Sequence, residues 1–113
     1  MKAIQDELAR SELTGQRVFE SEIRRLHGVL ILAKDGNLTA EAERELQLAL
    51  EISRRQSAKS LELRAVVSLA RLWMSQGKTS QARERLAEIY NWFTEGFDTA
   101  DLVAARKLLD ELR

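Results

Sequence analysis

The chain has 113 residues, the size of one small domain. Its 18 Lys and Arg balance 18 Asp and Glu, and this zero net charge argues against nucleic acid or an anionic membrane as partner. Without cysteine there is no disulfide, thiolate nucleophile or Cys-ligated zinc, and a single histidine, His27, cannot build a multi-histidine metal cage.

Composition points to helices. Proline is absent, and 63 of the 113 residues are Ala, Glu, Lys, Leu or Arg. The first 30 residues lack the basic head and apolar stretch of an export signal. The longest apolar run, Val29 to Ala33, is far short of the about 20 residues a membrane span needs. The expectation is a soluble, cytoplasmic chain, in which the Asn37-Leu38-Thr39 sequon has no meaning.

Four glycines, at 15, 36, 77 and 96, are separated by 21, 41 and 19 residues, and the polar stretch Ser57-Ala58-Lys59-Ser60 divides the long interval. Read as turns, they leave helical segments. Residues 1–13 form a first segment. In 17–34 the apolar positions Phe19, Ile23, Leu26 and Leu30 step by four, three and four. In 39–56 the stripe is Ala42, Leu46, Ala49 and Leu50; in 60–76 it is Leu63, Val66, Leu69, Ala70 and Trp73. Segment 79–93 carries Ala82, Leu86, Ile89, Tyr90 and Phe93, and the last carries Leu102, Ala105, Leu108, Leu109 and Leu112. Each spacing gathers side chains on one helix face that is expected to be buried. Thr39, Ser60, Thr79 and Asp98 stand where an N-cap is expected, and Asp101 complements the dipole of the last helix. Glu20–Arg24 and Glu51–Arg55 are acid-before-base pairs at i,i+4, expected to be solvated and weak.

The chain also matches itself at an offset of about 40. Leu26-His27-Gly28 answers Ser68-Leu69-Ala70, Gly36 answers Gly77, and Ala42, Leu46 and Ala49 answer Ala82, Leu86 and Ile89. Small residues at Gly28, Ala42, Ala70 and Ala82 let antiparallel helices approach closely. This order of large, small and turn residues resembles the tetratricopeptide repeat. The resemblance implies an all-α fold: antiparallel helix hairpins stacked as a right-handed solenoid. Residues 17–56 and 60–93 would be two repeats, 98–112 a capping helix, and 1–13 the remnant of a preceding repeat. The units exceed the usual 34 residues, which is expected to reflect extended turns after Ala33 and Gln56.

A narrower resemblance rests on Ala49-Leu50-Glu51-Ile52, Arg54-Arg55-Gln56, Ser60 to Ala65, Ser68 to Trp73 and, most specifically, Trp92 to Leu102. These stretches are similar to the C-terminal repeat region of bacterial signalling proteins that join an adenylate/guanylate cyclase or other effector domain to a regulatory ATPase. The resemblance implies a non-catalytic scaffold for protein–protein interaction, its partner a protein, a peptide or the upstream domains. The alternative is a self-association module forming a homo-oligomer. A nucleotide-binding regulatory domain is the remote third reading.

Candidate chemistry is sparse. Gly77-Lys78-Thr79 looks like the end of a phosphate-binding loop, but the position needing the first glycine is Leu72, and the turn reading wins. His27 has no partner for catalysis in the pattern, and no spacing singles out a carboxylate pair. No catalytic residue, metal or cofactor is expected. Arg24-Arg25 and Arg54-Arg55 read as helix charges rather than phosphate contacts. With Gly28 and Ala70 equivalent, Arg25, Val29 and Leu32 would line the inner face in one repeat, and Arg64, Val67, Arg71 and Met74 in the next. That mixture suits a peptide with apolar anchors and acids. Trp92, Phe93 and Phe97 read as a cap over the open end of the stack, with an exposed anchor for a partner as the alternative.

Overall fold

Five helices make up most of residues 18–112, the part of the chain that the structure, a computed structural model, describes. They are α1 (Val18–Lys34), α2 (Thr39–Arg55), α3 (Lys59–Ser75), α4 (Thr79–Tyr90) and α5 (Ala100–Leu112). Among the described residues there is no strand, and no helix is long and apolar enough to cross a membrane. The segment 1–13, expected to be a remnant helix, lies outside the described residues, as does Gly15.

Each helix packs on the next, and α3 also packs on both α1 and α5. The expected stripes of α2 to α5 supply the core. Leu46, Leu63, Leu69, Leu86 and Leu112 are essentially inaccessible, with Trp73, Leu102 and Ala105 filling the same cluster. Each large side chain buried this way contributes about 1.5–3 kcal/mol. The small residues set how closely the first pair can approach. A Cβ at Gly28 would stand 3.0 Å from the Ala42 carbonyl oxygen and 3.0 Å from Leu46 Cγ, so the α1 backbone lies directly on α2. Ala42, Ala70 and Ala82 are fully buried.

One stripe does not behave as its spacing suggests. On α1, Ile23, Leu26 and Leu30 point outward and are 40%, 48% and 60% exposed. The face of α1 that meets α2 is built instead on Gly28 and on Ser21, whose buried hydroxyl donates to the Ala49 carbonyl at 3.0 Å. A small, hydrogen-bonded face wins because it permits a closer approach than leucines would.

The turns differ from expectation as well. They span residues 35–38, 56–58 and 76–78, so they are short rather than extended. The offset of 41 between Val18 and Lys59 arises because α1 and α2 are each 17 residues long, with only the short turns 35–38 and 56–58 added. The first turn is fixed by the Asp35 carboxylate, which accepts from the Asn37 backbone N–H at 2.9 Å. The next two share one design. After α2, the Ala58 N–H donates to the Ser53 carbonyl and the Ser57 N–H to that of Arg54; after α3, Lys78 donates to Trp73 and Gly77 to Met74. This paired closure needs a left-handed residue. Gly77 fills that role at φ 80°, and Ser57 fills it at φ 54°.

None of the expected caps acts as one. Leu38, Ala58 and Lys78 occupy the cap positions, without side-chain hydrogen bonds, and Thr39 and Thr79 already lie inside their helices, as does Ser60. At α5 the Thr99 carbonyl, not Asp98, receives the first helical N–H, from Val103. The entries are held by the turns before them. Because a non-glycine left-handed residue costs about 1 kcal/mol, Ser57→Gly is expected to raise the unfolding free energy by up to about 1 kcal/mol. Gly77→Ala, whose added methyl would meet open space, is expected to lower it by about 1 kcal/mol. Urea denaturation of both variants reads the two shifts, which should have opposite signs.

Candidate functional site

On its way through the bundle α3 is enclosed by the other four helices. Between Leu61 and Met74 its only exposed residue is Arg71. A groove of about 500 Å3 runs between α1 and α3 beside it. Val29 and Leu32 of α1, Leu46 of α2 and Leu72 of α3 give the groove its apolar lining, and Arg25, Ser68, Arg71 and Ser75 its polar groups. A smaller hollow of about 240 Å3 adjoins it between α3 and α5, lined by Arg25, Arg64, Val67, Arg71, Asp101 and Ala104. Arg71 also borders a third hollow of about 440 Å3 against α5, facing Val103 and Lys107.

The expected inner-face residues therefore separate into different roles. Arg25, Val29, Leu32 and Arg71 converge on the larger groove. Val67 reaches the smaller hollow but is 7% exposed, leaving little surface for a partner. Met74, expected on the same face, packs partly buried against the core instead.

Arg64 is not a free cation. Its Nε donates to Asp101 Oδ2 at 2.9 Å and its Nη1 to Glu22 Oε2 at 3.3 Å. Glu22 in turn takes both Nε and Nη2 of Arg25 at 3.0 Å, and Arg25 Nη1 lies 3.5 Å from the Ser68 hydroxyl. This chain of alternating charges spans α1, α3 and α5. Partial burial pushes the Glu22 carboxyl up, but the hydrogen bonds and positive charges of Arg25 and Arg64 outweigh it and hold it below the usual carboxylate range. For Arg64 the hydrogen bond to Asp101 is the largest influence; with the charges of Asp101 and Glu22 it overcomes burial and raises the guanidinium further. Among the described residues no hydrogen bond or ion pair engages Arg71.

The α1–α2 pair shows the same cross-helix habit. Arg24 reaches Glu45 of α2 at 3.2 Å rather than the expected Glu20, and His27, largely exposed, lies 3.5 Å from the same carboxylate. Among the described residues no three His, Cys, Asp or Glu side chains gather where they could hold a metal ion.

The aromatic trio divides too. Phe93 is half-buried against the core. Trp92 is 56% exposed, with its ring edge-on to Phe93 at 5.1 Å and the Lys59 ammonium 5.3 Å from its centroid. Phe97, 44% exposed, leans on Tyr90 at 5.7 Å. Trp92 and Phe93, but not Phe97, border a hollow lined by Leu63 and Leu102. Of the three, Phe93 alone packs against the core, while Trp92 and Phe97 are exposed.

Sequence reasoning missed Glu22, Ser68 and Asp101. The Glu22–Arg25 spacing of three was the one available signal, since the other links join helices far apart in the chain. No protein-family model, no curated protein and no solved structure matches the chain.

A depressed carboxyl contributes stability that is present above its unfolded pKa and disappears as pH falls through the carboxylate range. Glu22→Gln is therefore expected to be less stable than the parent at pH 7, with the difference shrinking as pH falls through and below the ordinary carboxylate range. Urea midpoints of both proteins across that range test the assignment. A difference that stayed constant with pH would show that the Glu22 charge has no part in joining α1 to α3.

Proposed function

We propose that the chain is a non-catalytic interaction module of the tetratricopeptide type, two helix hairpins and a capping helix, whose α1–α3 groove receives an acidic peptide with apolar anchors. The solenoid reading is supported by the packing of each helix on its successor and of α3 on both α1 and α5. It is further supported by the near-equal offsets from α1 to α3 and from α2 to α4. A cytoplasmic setting, as the C-terminal repeat segment of a larger bacterial signalling protein, rests on the resemblance of residues 49–73 and 92–102 alone.

The observation that carries the peptide reading is Arg71. A rigid helix presents it as the single exposed residue over nearly four turns, beside an apolar trough. Its neighbours Arg25 and Arg64 already satisfy Glu22 and Asp101. A free guanidinium takes a carboxylate in a forked hydrogen bond, and the adjoining Val29, Leu32 and Leu72 would take an aliphatic side chain a few residues away.

A test uses a panel of short fluorescent peptides that alternate leucine with glutamate, and the same panel with glutamine. Arg71→Glu is expected to weaken binding of the acidic peptides by about tenfold or more, roughly 1.4 kcal/mol, while leaving helical circular dichroism unchanged. Arg64→Glu should instead destabilise the fold, because it sets like charges against Glu22 and Asp101. Equal affinity for acidic and amide peptides, or binding unaffected by Arg71→Glu, would refute the reading.

A further inference from the structure

We propose that the outward stripe of α1 is a self-association surface, covered by α1 of a second copy running antiparallel. The stripe is the largest run of apolar side chains that the described fold leaves uncovered. Ile23, Leu26 and Leu30 are 40%, 48% and 60% exposed, and Ala33 is exposed after them. Their spacing of three, four and three is that of the a and d positions of a heptad, the pattern by which one helix seats another. In sequence, Phe19 stands at the preceding d position of the same register.

Charge selects the occupant. One flank of the stripe carries Glu20, His27 and Lys34 at successive intervals of seven. Neither Glu20 nor Lys34 has a hydrogen-bond or ion-pair partner among the described residues. An antiparallel two-fold pair sets identical flanks together. With the axis near His27, Glu20 of each copy meets Lys34 of the other, twice over. The same register stacks Leu26 on Leu30 of the second copy and Ile23 on Ala33, so charge and apolar layers agree. A parallel pair would place this flank against the one bearing Glu22 and Val29 and would form neither Glu–Lys pair.

The contact is small. Three partly exposed large side chains and an alanine per copy bury on the order of 700 Å2 in total, at the small end of weak and reversible associations. The expected behaviour is a monomer–dimer equilibrium with a dissociation constant on the order of tens of micromolar.

Sedimentation equilibrium of the full 113-residue chain, from about 1 to about 500 µM, reads this directly. The parent should dimerise, and Leu26→Asp should be monomeric with unchanged helicity, since Leu26 points to solvent. Lys34→Glu should weaken the dimer several-fold, and the exchange Glu20→Lys with Lys34→Glu should restore it. The proposal is overturned if the parent is monomeric throughout, as it would be were residues 1–17 of the same chain, or another protein, the true cover. It is equally overturned if Leu26→Asp still dimerises, or if the exchanged variant associates no better than Lys34→Glu alone.

Discussion

The arrangement depends on α3 being enclosed by the other four helices. It alone touches all of them, and ten of its 17 residues are buried. A helix confined on so many sides cannot rotate without disturbing several interfaces at once, because close-packed interiors transmit strain rather than absorb it. Whatever its one open strip presents is held at a fixed angle. That strip holds Arg71 and, one turn-pair earlier, Arg64.

The two arginines illustrate how identical chemistry is sorted by surroundings. Arg64 lies where α1 and α5 converge, within reach of Glu22 and Asp101, and becomes a bracket between three helices. Two turns along, Arg71 borders the same hollow as Asp101 but has no hydrogen-bond or ion-pair partner among the described residues. The bracket keeps α1 and α5 in place on either side of α3, and so keeps open the grooves that Arg71 borders. Fold and proposed recognition therefore meet in one row of side chains.

Much of the fold was legible in the chain. Spacings of three and four located the buried faces of α2 to α5, and the glycine and serine positions located the turns. The same rule misassigned α1, because periodicity shows that apolar residues share a face without showing which neighbour, if any, covers it. There Gly28 and Ser21 decided the packing, through close approach and a buried hydrogen bond. The capping residues failed for a related reason. Left-handed closure of the preceding helix fixes each entry after α2 and α3, so no side-chain cap is required. The inner face was half legible. Arg71, Arg25, Val29 and Leu32 share the groove, while the ion pairs that occupy Arg64 join residues 37 and 42 positions apart and have no local signature.

Residue-resolved amide hydrogen exchange reads directly whether α3 is the fixed spine on which the other four helices depend. Amides in the middle of α3, from Ala65 to Leu72, are expected to exchange only with global unfolding and to be the slowest in the chain, with those of α1 and α5 opening first. Amides of α3 that exchanged as fast as those of α1 or α5 would contradict that role.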